Sequence, residues 1–421
     1  MPRKHEHDHN KTSAESQRLI VRLAERLREA ESGTDEDDLA ELIYGVEKLG
    51  RKFVSDPGKL QGATHFKTAV ENLRKPARIK QDRGQELNLC MSAGQTYAQL
   101  GLLDEAQAGF EQAIQLSVQL DDHLHHARAL RKLGNIKLNR SLWKEAAACF
   151  EQSRKICSDN GELLDEAYAL NNLAAVYFHT AAWRKMEAAC EQGLAVAERL
   201  NEDDLTACIY NNLGAMYNLQ GHWDKALLAF QKSLPIFEKL GDVRGLAETY
   251  NNLATVYRDQ DRWPEAGKYY NKSLQFSQQV GDAVVQACAR LNRVELYLMM
   301  HDWDLAEKQC QEVLSDFHRL GHKSGEADAC KLLGVIYTNK RNWALSRKYL
   351  DEALHLNGHY HNLLGLAESH QRYAEFWLAK GNKPSALKHL QKALDGYKSL
   401  KAQREVRKLE KQLQEIKTGG A

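Results

Sequence analysis

The chain has 421 residues, 27% of them charged, six prolines and a formal net charge of +1. That balance argues against a nucleic-acid binder working by wholesale phosphate neutralisation, and no apolar run approaches the ~18 residues that a membrane span needs. The first thirty residues show no apolar core with a small-residue cleavage site, so no secretory signal is read.

In chain order, the first feature is His5, His7 and His9, alternating with Glu6 and Asp8. Alternating histidines can ligate zinc or nickel, but in a short terminal stretch the compositional reading, a tail without a metal, is preferred. Thr12 and Glu15 then fit a capping box, and Ile20, Leu23, Ala24 and Leu27 stripe one face of a helix over residues 12–30. Packing on the body of the protein, dimerisation, partner binding and a loose, undocked helix all stay open for that segment. An acidic linker, 31–38, follows. Leu49, Gly50 and Phe53, then Phe66, Ala69 and Val70, form a degenerate helical pair with Pro57 in its turn.

From residue 84 onward a period of forty governs the chain. One column reads Leu103, Trp143, Trp183, Trp223, Trp263, Trp303 and Trp343. A small-residue column reads Gly94, Gly134, Ala174, Gly214, Ala254, Val294, Gly334 and Ala374, and a bulky one reads Phe110, Phe150, Cys190, Phe230, Tyr270, Cys310, Leu350 and Leu390. Leu170, Leu173, Ala174 and Tyr177 recur at i, i+3, i+4 and i+7, which places them on one face of a helix. Each unit is thus two helices whose small residues allow a close approach. The pair leaves an apolar side that only a neighbouring unit covers. Six of the seven tryptophans, at one phase beside the turn, read as packing residues. Val406, Leu409, Leu413 and Ile416 mark a last helix that caps the stack.

Leu213, Gly214 and Tyr217, followed by Ala226 and Phe230, spell L-G-x-x-Y and A-x-x-x-F, which resembles the tetratricopeptide repeat. The unit is longer than the family's usual one and lacks its late proline. In this it is similar to the repeats of kinesin light chains, spindle-orientation adaptors and Rap-type regulators. The resemblance implies an all-α, right-handed solenoid. The expected division is 1–36 tail and amphipathic helix, 37–83 degenerate capping repeat, 84–400 eight tandem repeats, and 401–421 capping helix and tail.

Asparagines also recur at forty, Asn171, Asn211 and Asn251 in one column and Asn172, Asn212, Asn252 and Asn292 in the next. Asparagine is a poor residue inside a helix because its side chain competes for backbone hydrogen bonds, so some other gain must offset its presence. They lie opposite the Leu170, Leu173, Ala174, Tyr177 face. The resemblance implies that this side lines a concave groove and that the carboxamides hold the backbone of an extended peptide. A carboxamide carries both donor and acceptor and matches any peptide unit. The expected binding set is Asn171, Asn172, Asn211, Asn212, Asn251, Asn252, Asn292, Asn135, Lys132 and Arg258, with Arg131, Arg290, Lys331 and Arg372 adding charge that favours an acidic segment or a free carboxylate. The competing reading is a ladder of asparagines bonding one another along the superhelix.

The eight cysteines include no C-x-x-C pair and read as reduced, buried residues of a cytoplasmic protein. With no Gly-rich phosphate loop, no G-x-S-x-G and no H-E-x-x-H, neither an enzyme nor a cofactor is expected. The expected function is a scaffold or adaptor holding a protein or peptide partner, without nucleic acid. The alternative is a regulator whose superhelix changes shape when a peptide binds.

Overall fold

A computed structural model describes Lys67, Val70 and residues 82–99, 101–280 and 283–418. The amino-terminal histidines, the helix expected over 12–30, the linker and most of the degenerate unit lie outside the described residues. Of that unit, Val70 is buried and Lys67 pairs with Glu105 at 3.2 Å.

The described chain folds as seventeen α-helices, with no strand among the described residues. They are α1 Arg83–Gln99, α2 Leu103–Gln119, α3 His123–Asn139, α4 Trp143–Asn160, α5 Leu163–His179, α6 Trp183–Leu200, α7 Asp203–Leu219, α8 Trp223–Leu240 and α9 Val243–Asp259. Next come α10 Trp263–Val280, α11 Ala283–Met299, α12 Trp303–Leu320, α13 Lys323–Asn339, α14 Trp343–His359, α15 Leu363–Ala379, α16 Lys383–Ser399 and α17 Gln403–Lys417. Odd and even helices pair in sequence, and α17 covers the last pair with Leu409, Leu413 and Ile416 buried.

One turn is used throughout. At each described turn between helices a left-handed residue recurs at twenty-residue spacing, at Gly101, Asp121, Ser141, Gly161, Ala181, Asn201, Gly221, Gly241 and Asp261, and again from His301 to Gly381 and Lys401. The next amide closes a six-residue ring back to the helix, as in Leu102 to Tyr97 (2.9 Å) and His222 to Tyr217 (2.8 Å). This is the Schellman closure, which satisfies carbonyls that the helix end would otherwise leave open. Nine of the left-handed residues are not glycine, and each costs about 1–2 kcal/mol of backbone strain that packing must offset.

Within a pair, the small column of the odd helix meets the bulky column of the even helix, and in two pairs their sizes compensate. Gly94 faces Phe110, Gly134 faces Phe150 and Gly214 faces Phe230. Where the small column grows to Ala174 or Val294, the bulky column shrinks to Cys190 or Cys310, and all four side chains are fully buried. Close packing at constant volume accounts for the exchange.

The stack winds past one full turn, so early units touch late ones. Ser324 N–H donates to Ser141 Oγ (3.1 Å), Gly101 lies against Leu320, and Arg404 donates to Asp261 (3.3 Å) while its guanidinium lies 5.6 Å above the Trp223 ring. At the same seam His179 stacks on Trp143, with ring centroids 4.1 Å apart.

Two predictions follow from this packing. Alanine in place of a mid-helix glycine normally adds up to about 1 kcal/mol of stability. A Cβ on Gly214, however, meets the Phe230 ring at 2.5 Å, whereas one on Gly267 finds its nearest neighbour at 3.7 Å. Gly214→Ala should therefore lower stability by about 1–3 kcal/mol, and Gly267→Ala should raise it, both read by urea unfolding. The second concerns acid. Burial pushes His179 and His370 down to about 4 from the ordinary 6.5, with His322 and His389 adding like charge. The unfolded chain takes up these protons first, so the stability they confer is complete above pH 6.5 and is lost as pH falls toward 4. The urea midpoint should drop across that window, and His179→Phe, which keeps the aromatic stack, should flatten part of the drop.

Candidate functional site

The odd helices line the inside of the coil, so their repeated side chains meet across it. The asparagines meet one another. Asn212 Nδ2 donates to Asn171 Oδ1 (2.9 Å), Asn252 Nδ2 to Asn211 Oδ1 (3.1 Å) and Asn292 Nδ2 to Asn251 Oδ1 (2.5 Å). Thr249 Oγ1 adds a second bond to Asn211 Oδ1 (3.2 Å). The carboxamides thus form a ladder between neighbouring odd helices. Each bonded amide retains a further N–H, and Asn172 Nδ2 has no partner at all.

A cavity of about 510 Å³ lies further along the coil. Asn218, Asn252, Thr255, Arg258, Glu295, Lys331, Glu368, Gln371 and Arg372 line it from the odd helices, and Trp223, Trp263 and Trp303 line it from the even ones. Of the ten residues expected to bind a peptide, Asn252 and Arg258 reach this cavity. Asn171, Asn172, Asn211, Asn212, Asn251 and Asn292 stand at the junctions between odd helices. Lys132 and Asn135 lie half-buried on α3, toward the other end of the coil.

The charges of the cavity are matched. Arg258 donates to Glu295 (2.6 Å) and to Asp259 (3.1 Å), and Asp259 also accepts from Asn218 (2.9 Å). Lys331 donates to Asp328 (2.9 Å) and to Glu368, and Arg372 to Glu375 (3.0 Å). Burial opposes the Lys331 charge, but the two carboxylates outweigh it and hold the ammonium protonated above its usual range. Outside the cavity, Arg131 is held by Asp165 (3.2 Å) and Arg290 by Asp316. The cations read from the sequence as free charge are therefore mostly spent on neighbouring acids, because the same winding that gathers them gathers carboxylates beside them.

Two parts of the cavity wall were not legible in the sequence pattern. Arg404, Glu405 and Lys408 come from α17. They arrive by closure of the coil, to which no local spacing points. The tryptophan column divides: Trp143 and Trp183 are buried, as packing residues should be, whereas Trp223, Trp263 and Trp303 face the cavity. Asn218 carries a buried Oδ1 without a partner on the same wall. Among the described residues no three histidine, cysteine or acidic side chains converge as a metal set, and no helix is long and apolar enough to cross a membrane.

The sequence profile of the tetratricopeptide repeat matches residues 88–159, 165–239 and 245–317. More than half of the chain is covered, and the protein belongs to the tetratricopeptide repeat family. Its fold is similar to that of the Rap conjugation gene regulator of plasmid pLS20, solved with the Phr* peptide (TM-score 0.56, 14% identity, 75% of this chain and 96% of that one). It is also similar to aspartyl phosphate phosphatase F from Bacillus subtilis (TM-score 0.51, 15% identity, 83% and 94%). The apo quorum sensor NprR from B. thuringiensis gives a TM-score of 0.50 at 14% identity, over 85% of this chain and 99% of that one. No curated protein sequence matches the chain.

The matched charges make a prediction. Lys331→Met strands Asp328 and Glu368 without their cation. The loss should be roughly 2–3 kcal/mol, below the ~3–5 of a fully buried pair because both carboxylates are about a third exposed. Urea unfolding measures it, and adding Glu368→Gln should recover part of the loss.

Proposed function

We propose that the protein is a non-catalytic interaction module that holds an extended peptide segment of a partner inside its coil. The observation that carries this reading is the 510 Å³ cavity, whose polar side chains continue the line of the asparagine ladder. A segment lying there meets carboxamides with spare donors, which match a peptide backbone, and indole faces that accept side chains. The pLS20 regulator, of similar fold, was solved with a peptide, which agrees with this reading. None of the eight cysteines is in a disulfide, and burial raises the thiols of Cys157, Cys190 and Cys310, which suits structural residues in a reducing, cytoplasmic setting.

A second reading, a regulator whose coil changes shape on binding, draws on one feature. The seam joining early and late units at Ser141, Ser324 and Arg404 is built from few polar contacts. A ligand that prefers either an open or a closed seam would shift the coil. Small-angle scattering with and without a bound peptide separates the two: the module keeps its radius, the regulator does not.

Replacing Asn172, Asn212 and Asn252 together with alanine tests the groove. Two ladder bonds disappear, each worth about 0.5–1.5 kcal/mol, so the melting temperature should fall modestly. At a temperature where the variant stays folded, affinity for a captured partner peptide should fall more than tenfold. Unchanged affinity in the folded variant would show that the carboxamides serve the ladder alone.

A further inference from the structure

The antiparallel helices put their turns alternately on the two rims of the coil. Turns from odd to even helices, at Gly101, Ser141 and onward, form a first rim, and turns from even to odd helices form a second. The seam joins these two kinds of rim: Gly101 of the first lies against Leu320 of the second, and Ser141 bonds Ser324. Winding past one turn thus covers the first rim of the early units and the second rim of the late ones. The second rim of the early units and the first rim of the late ones are left over.

One column shows what the seam does to a rim. Leu120, Leu200, Leu240, Leu320 and Leu400 each stand just before a left-handed turn residue of the second rim. Leu320 is 3% exposed, its methyl 2.5 Å from where a Cβ on Gly101 would stand. Leu400 is fully buried in an apolar cluster that joins α5–α7 to α15–α17. Leu200 and Leu240, on the uncovered early rim, are 42% and 45% exposed. On the uncovered late rim Met300 is 74% exposed, and a Cβ on Gly381, the register counterpart of Gly101, would meet nothing within 4 Å. The two uncovered rims are also opposite in charge. Asp121, Asp159, Glu162, Glu202 and Asp242 cluster at the early turns, against Arg199 and a Lys239 already held by Asp203 (2.6 Å). At the late turns Arg341, Lys380 and Lys383 are exposed, while Asp302 caps its own helix.

We infer that the acidic, leucine-bearing rim of the early units binds the basic rim of the late units of a second copy of this chain, so that copies stack head to tail. The contact repeats between molecules what the seam makes within one. The same two kinds of rim meet, with leucines set against turns that include glycine, and complementary charge is added to steer and orient the approach. Because the two surfaces differ, the contact is heterologous, and every added copy presents one rim of each kind for the next.

Sedimentation equilibrium of the full chain, from about 1 μM to about 1 mM, tests the contact. The average mass should climb with concentration and pass that of a dimer. Leu200→Lys with Leu240→Lys blocks one rim, and Arg341→Glu with Lys383→Glu blocks the other. All four side chains are exposed, so the circular dichroism and melting temperature of both variants should stay close to the parent's. Each variant alone should associate at least about tenfold more weakly than the parent. Mixed in equal amounts, the two should form a one-to-one pair and nothing larger, because each retains the rim that the other lacks. A parent that stays monomeric over the whole range, folded variants that associate like the parent, or a mixture that forms no pair overturns the head-to-tail contact.

Discussion

The two-residue left-handed turn is the constraint on which the rest of the molecule depends. Because the described turns between helices use the same closure, each step along the chain is twenty residues and each pair is forty. Equal steps keep every column in register over eight pairs, and only then can Asn212 find Asn171 and Asn252 find Asn211. A helix one residue longer between two such turns would rotate its end by about 100° and break the ladder across that junction. The strain at Ser141, Ala181 and Lys401, where the left-handed residue is not glycine, shows that packing is strong enough to impose this geometry.

Within that frame the two surfaces of a helix pair are managed differently. The buried contact is settled by volume: Gly214 against Phe230, Ala174 against Cys190. The inner surface is settled by charge and amide matching. Lys331 lies between Asp328 and Glu368, and Arg258 between Asp259 and Glu295, so the inside of the coil is polar yet largely neutralised. A neutralised polar surface does not favour any strongly charged ligand along its length. It suits backbone-like contacts.

Much of the architecture was readable in the sequence. The tryptophan, glycine and phenylalanine columns each report a helix face, and repetition turns a weak local signal into a firm one. The asparagines were equally visible, and their cost in helix propensity marked them as purposeful. What the spacing left open was their partner, since a side chain on the inner face can meet a ligand or the next helix. The structure shows the bonds to the next helix and leaves a further donor on each bonded amide. The cavity was less legible. Arg404, Glu405 and Lys408 belong to a helix whose pattern speaks only of capping, with Leu409, Leu413 and Ile416 on its buried side.

The sequence by itself therefore determined the repeat, its length, the small-against-large packing and the residues of the inner face, because all of these depend on neighbours within one unit or the next. The tertiary structure alone decided which units meet across the coil, how the cations are paired, and that Trp223, Trp263 and Trp303 turn to a cavity while Trp143 and Trp183 are buried. Those outcomes depend on small rotations summed over several repeats. Contacts such as Ser141 with Ser324, 183 residues apart, arise only when that sum closes the coil.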